Sequence, residues 1–166
     1  MKINIREIAR FQIISMIVII LGCIFSYYLF FENINNSSII PKYPTMGIAY
    51  VINLFKHNMS AYVATIALFF IAPVPILFNW GVLIFIIDYN IGAFGIEKTI
   101  ELLLPHGAVE IPTILLYQYL SLKMMQILYH EKSVQNLYIF LRNHYLLFLL
   151  CILLVAISSY IEGMIG

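Results

Sequence analysis

The octapeptide Pro105-His106-Gly107-Ala108-Val109-Glu110-Ile111-Pro112 carries the residue pair best suited to chemistry in this 166-residue chain. His106 and Glu110 are four positions apart, so both fall on one helix face. A carboxylate that orients an imidazole makes a general base, and Glu162 can serve as a second acid and proton donor. The same groups have other uses. A His–Glu hydrogen bond can lock helix packing, and a set of ionisable groups in lipid can line an ion or peptide pathway. A divalent metal such as zinc is a sub-case of the first use, with His106, Glu110 and His57 as ligands of the right type. The spacing does not follow His-Glu-x-x-His, and no pair of Cys ligands accompanies it. These readings stay open on the residues alone.

What must position these groups follows from composition. Hydrophobic residues make up 63% of the chain and charged residues 10%, with a mean hydropathy of +0.96. A soluble domain carries about 25% charged residues. A chain of this length has too little interior to hide so much apolar surface. Soluble globular and disordered classes are therefore excluded. A formal net charge of +1 supplies no basic field for nucleic acid. Cys23 and Cys151 each lie within apolar runs and read as small buried hydrophobes, not as a disulfide. No Gly-rich phosphate loop is present, and Ser60, Ser158 and Ser159 lack the neighbours of a nucleophile. The expectation is an all-α polytopic membrane helix bundle forming a single integral membrane domain over 1–166.

About 20 apolar residues span a bilayer as a helix. Five such segments are expected, at 11–31, about 57–72, about 76–96, 105–122 and 145–161. Pro73-Val74-Pro75 separates the second from the third, because proline removes a donor and restricts its predecessor. Residues 32–47, with Pro41 and Pro44, read as a polar loop. Glu97, Lys98 and Glu101 read as a wet loop, and 123–144 as a basic one. Pro105 suits a first helical position, and Pro112 frees a carbonyl one turn back that a neighbour must satisfy. The fourth segment thus reads as broken or re-entrant. With five spans, the amino terminus and the 123–144 stretch share the cytoplasmic side and hold six of the nine Lys and Arg residues, in line with the positive-inside rule. His57, Asn58, Asp88, Asn90, His106, Glu110 and Glu162 then gather toward the outer half of the membrane, and Asn79 toward the inner. Asp88 can pair with Lys98 or His57 there, or be functional. Trp80, Tyr27, Tyr28 and Tyr145 read as interfacial anchors, His130 and His144 as solvated.

The octapeptide resembles the Pro-His-Gly-x-x-Glu-hydrophobic-Pro signature of the stage II sporulation protein M family. Asn58, the stretch from Pro75 to Gly81, and Tyr160-Ile161-Glu162 are similar to further family positions in the right order, so the likeness covers roughly residues 50–166. The chain departs from the pattern at His57-Asn58, where the family has paired Asn, and at Asn79-Trp80-Gly81, where it has Asn-Gly. Residues 113–122 are also bulkier than the family's Ala- and Gly-rich helix. The resemblance implies a small membrane protein that works with other membrane proteins. The family's namesake serves forespore engulfment, and its short relatives occur with circular bacteriocins. By that likeness the expected partners are the lipid bilayer, a hydrophobic peptide, and transporter subunits or further copies of the chain. If enzymatic, the activity expected is that of a membrane-embedded peptidase or peptide cyclase.

Overall fold

The computed structural model describes residues 3–31 and 47–165; apart from Gly47, the polar loop expected at 32–47 lies outside them. Five long helices carry the described chain: α1 (Ile5–Ser26), α2 (Ile48–Ala67), α3 (Pro73–Phe94), α4 (Ile96–Gln126) and α5 (Val134–Ile165). Local chemistry sets their ends. The Asn4 side chain accepts from the Arg6 amide at 3.0 Å, satisfying a donor that a helix start leaves orphaned. Pro73 opens α3, where a missing N–H costs nothing. Gly95, at φ 81°, makes the sharp break into α4.

Each helix reverses the direction of the one before it. The Gly47 amide donates to the Gly163 carbonyl at 3.3 Å, tying the start of α2 to the end of α5. Glu7 of α1 meets Lys123 of α4 at 2.7 Å, so the amino end and the end of α4 share one end of the bundle. That is the arrangement the charge distribution called for. Three helices are long and apolar enough to cross a membrane: Ile5–Phe30, Pro73–Phe94 and Val134–Met164. The pair Ile96–Pro105 and Gly107–Glu131, bent by 68°, is a broken span or a re-entrant loop. The break falls where the sequence places it, because Pro105 cannot donate to the preceding turn. Among the described helices, α2 is too polar to count as a span of its own.

Several boundaries differ from the sequence reading. Glu97, Lys98 and Glu101 lie in the first turns of α4, not in a loop. Pro105 sits inside α4 instead of opening a helix. The 123–144 stretch is nearly all helical: α4 continues into a π-helical turn at Ile127–Glu131, and α5 begins at Val134. Lys132, at φ 48°, makes the turn between them. For the first and the last, charged side chains are carried on helix, since hydropathy registers polarity and not where a helix ends.

The axis of the bundle is the second half of α4, where residues 115–121 are all buried. The core joins it to α2 and α5 through Tyr62, Leu116, Tyr117, Leu120, Phe140 and Cys151. Small residues allow the closest approaches. A Cβ on Gly163 would come within 3.0 Å of the Val51 Cα, and backbone cannot yield there. Gly163→Ala should therefore destabilise the fold by about 1–3 kcal/mol. Gly81→Ala, with nothing within 4 Å of the added carbon, should not. Thermal unfolding in detergent micelles checks both, and equal effects would remove the close approach as the cause.

Candidate functional site

Glu110 projects from α4 just past the bend, and Glu162 from the last turn of α5. Both are half-buried, and each carboxylate lies in the other's electrostatic reach. The field of Glu110 extends to Tyr117, and that of Glu162 to Tyr50 on α2. Three helices therefore contribute to one polar patch. Asn58 borders it, with its amide donating to the Ser159 hydroxyl at 3.5 Å. Tyr117 forms the patch's apolar floor and meets Tyr62 edge-on at 5.4 Å between ring centroids. The Tyr62 hydroxyl in turn donates to the Phe148 carbonyl at 3.2 Å. Two acids held by packing on separate helices can bind a cation, pass a proton, or polarise a peptide group placed between them.

His106 stands one turn before Glu110, at the break in α4; its side chain lies outside the described residues. Among the described residues no three His, Cys, Asp or Glu side chains gather as metal ligands. His57 is exposed on α2, and its carbonyl accepts the Ser60 hydroxyl at 2.7 Å. Asn90 donates to the Ile86 carbonyl of its own helix at 2.9 Å. Ser158 and Ser159 both donate to the Val155 carbonyl.

Asp88 belongs to a different interface. It is completely buried between α3 and α1, where Cys23 and Ser26 lie in its field. The Ser26 hydroxyl is the donor that bears on its carboxylate, without reaching a well-formed hydrogen bond. The pairing expected with Lys98 or His57 is not formed: Lys98 holds Glu101 at 2.7 Å, and His57 faces outward.

A second polar set was not foreseen from sequence. Trp80 is no interfacial anchor, because its indole N–H donates inward to Gln118 Oε1 at 2.8 Å. Asn79 donates to Thr65 Oγ1 at 3.3 Å, and Ser121 to the Thr65 carbonyl at 2.8 Å. These bonds stitch α2, α3 and α4 together. The signal was Gln118 and Ser121 inside an otherwise apolar run. His144 is likewise not simply solvated, since its Nδ1 lies 2.8 Å from the Phe140 carbonyl. At the proline kink, Gln12 of α1 donates to the Pro112 carbonyl at 3.2 Å. A neighbouring helix does supply the donor there, though to the carbonyl of Pro112 and not to the one a turn back.

A bent α4, with acids facing α5 and a sealed polar seam behind them, defines a small multi-pass membrane protein. The chain matches the Stage II sporulation protein M family over residues 12–166 and belongs to it. The match begins within α1, well before the stretch whose resemblance is legible by eye. No curated protein and no solved structure matches the chain.

The isolation of Asp88 has a measurable consequence. A buried carboxylate with Ser26 as its one weakly placed donor adds little stability. Asp88→Asn should leave thermal stability in detergent unchanged or raised. A loss of more than about 1 kcal/mol would mean that the carboxylate makes a bond worth having.

Proposed function

We propose that this chain is a multi-pass protein of the bacterial cell membrane, with its amino terminus in the cytoplasm, that handles a hydrophobic peptide during maturation or export of a circular bacteriocin. The observation that supports the reading is that Glu110 and Glu162, from two helices beside the break in α4, lie within each other's field. Acids are expensive in hydrocarbon, by about 2.5–3.5 kcal/mol even on the lenient insertion scale, so two in one patch call for a use. In the maturation form, His106 acts as base or ligand, Glu110 orients it, and Glu162 supplies the second acid. Packing around the patch would shield the peptide bond from bulk water. In the export form, the same carboxylates pass a proton or bind a basic side chain of the peptide.

A non-enzymatic scaffold, transport or immunity subunit is the second reading, related to the family's part in sporulation. The bonded seam of Trp80, Gln118, Thr65 and Ser121 favours it, since such a seam holds helices in register without any chemistry.

Glu110→Gln and Glu162→Gln separate the two in cells that make the peptide. Mature peptide, read by intact mass, should fall by about a hundredfold, the low end of a general acid–base contribution. Membrane abundance of the protein should hold. Accumulated linear precursor points to maturation, and mature peptide trapped inside the cell points to export. A fall in protein abundance that tracks the fall in peptide would transfer the case to the scaffold.

A further inference from the structure

The face of α4 opposite the acids opens a groove against α1. Its volume is about 580 Å³. Ile13, Ile17 and Ile20 form one wall, and Leu104, Ala108 and Ile111 the other. Gln12 is the polar member of the lining, and its amide is already engaged by the Pro112 carbonyl. The groove exists because of the bend. At Pro105 the first part of α4 swings away from the second, while α1 runs on straight past the break.

We propose that this groove seats one acyl chain of an anionic phospholipid, with the headgroup held by Arg6 and Arg10. Three features on the two walls fit that occupant. First, the length is right. From Gln12 to Ile20 the helix rises about 12 Å, close to half of an about 30 Å hydrocarbon core. Second, the groove runs into positive charge. Arg6, Arg10, Ile13 and Ile17 fall at i, i+4, i+7 and i+11, so the arginines continue the apolar wall toward the amino end. Helical side chains lean toward the helix amino terminus, which carries both guanidinium groups out to headgroup level. Third, that charge is not closed off by an ion pair, Arg10 reaching Glu7 only through its field. Glu7, the acid at this end, is bound by Lys123 at 2.7 Å and by the Tyr119 hydroxyl at 3.0 Å. Both arginines are exposed, and neither forms an ion pair among the described residues. A guanidinium matches a phosphate with two parallel bonds. An extended peptide would leave its backbone polar groups unmet against walls that offer almost no polar atom; an acyl chain has none to satisfy.

The site is separate from the acid patch and does not rest on the peptide reading. The test uses the full chain in detergent, incubated with phosphatidylglycerol or phosphatidylcholine and read by native mass spectrometry. Phosphatidylglycerol should be retained in preference to phosphatidylcholine. Arg6→Gln and Arg10→Gln should each weaken its retention by about fivefold, the weight of one basic residue at an anionic surface. Ala108→Trp fills the groove and should abolish retention of both lipids. Ile17→Trp does the same from the opposite wall if the first variant fails to fold. Glu110→Gln should leave lipid retention unchanged, so that failure of the peptide reading is seen separately. Equal retention of the two lipids, or no effect of the arginine changes, overturns the proposal. So does retention of a hydrophobic peptide where neither lipid is held.

Discussion

Helix α4 has no face that can be given wholly to lipid. Between Thr113 and Ser121 its polar groups point in several directions: Gln118 toward α3, Ser121 toward α2, and Glu110 just above them toward α5. In hydrocarbon each would be left unbonded at several kcal/mol. The other helices answer most of this constraint by surrounding it, the Gln118 Nε2 alone keeping no partner among the described residues of this stretch. The hydroxyl of Ser121 finds the Thr65 carbonyl, the amide oxygen of Gln118 finds Trp80, and the ring of Tyr117 is closed over by Tyr62. Helices α1 and α3 then present apolar residues to the bilayer, with only 11% of each span buried inside the bundle. Burial of the centre and exposure of the rim are two sides of one requirement.

The proline break serves two places at once. By turning α4 through 68°, it sets Glu110 where α5 can bring Glu162 to it. By the same turn it separates the first part of α4 from α1 and leaves an apolar groove on the far side. A straight α4 would close that groove, and its acids would lie along a smooth helix face. The octapeptide is thus a structural device first. Its two prolines, and the glycine between them, create the geometry in which Glu110 acquires its neighbours.

Much of this was legible in the sequence, and the failures have a common cause. The class of protein followed from 63% hydrophobic residues and the break from Pro105. The family signature stood in eight consecutive residues. What was misread depends on partners far along the chain. Trp80 looks like an interfacial anchor until Gln118, 38 positions away, is seen to accept its N–H. Asp88 looks like an interfacial acid until α1 is seen to cover it. The stretch 123–144 looks like a loop because its charges lie beyond the lipid, yet a helix carries them. Periodicity and composition report on the solvent that each residue meets; they do not report which helix stands beside it.

Helix α2 shows how far that distinction reaches. It is 20 residues long, enough to cross, yet it is not apolar enough to qualify as a span. Its inner face is ordinary, with Tyr62 and Thr65 buried and bonded to α5 and α4. Its outer face carries Asn53, Lys56, His57 and Ser60, all exposed, at i, i+3, i+4 and i+7. That spacing makes one continuous polar stripe. Acyl chains do not solvate such a stripe, since a lysine and a histidine in hydrocarbon are among the costliest substitutions a span can carry. The helix is therefore held in the bundle by the bonds of its inner face and not by any preference for lipid. The neighbouring pair His57-Asn58 illustrates the division. Consecutive positions on a helix point about 100° apart, so Asn58 reaches Ser159 at the edge of the acid patch while His57 turns away from it.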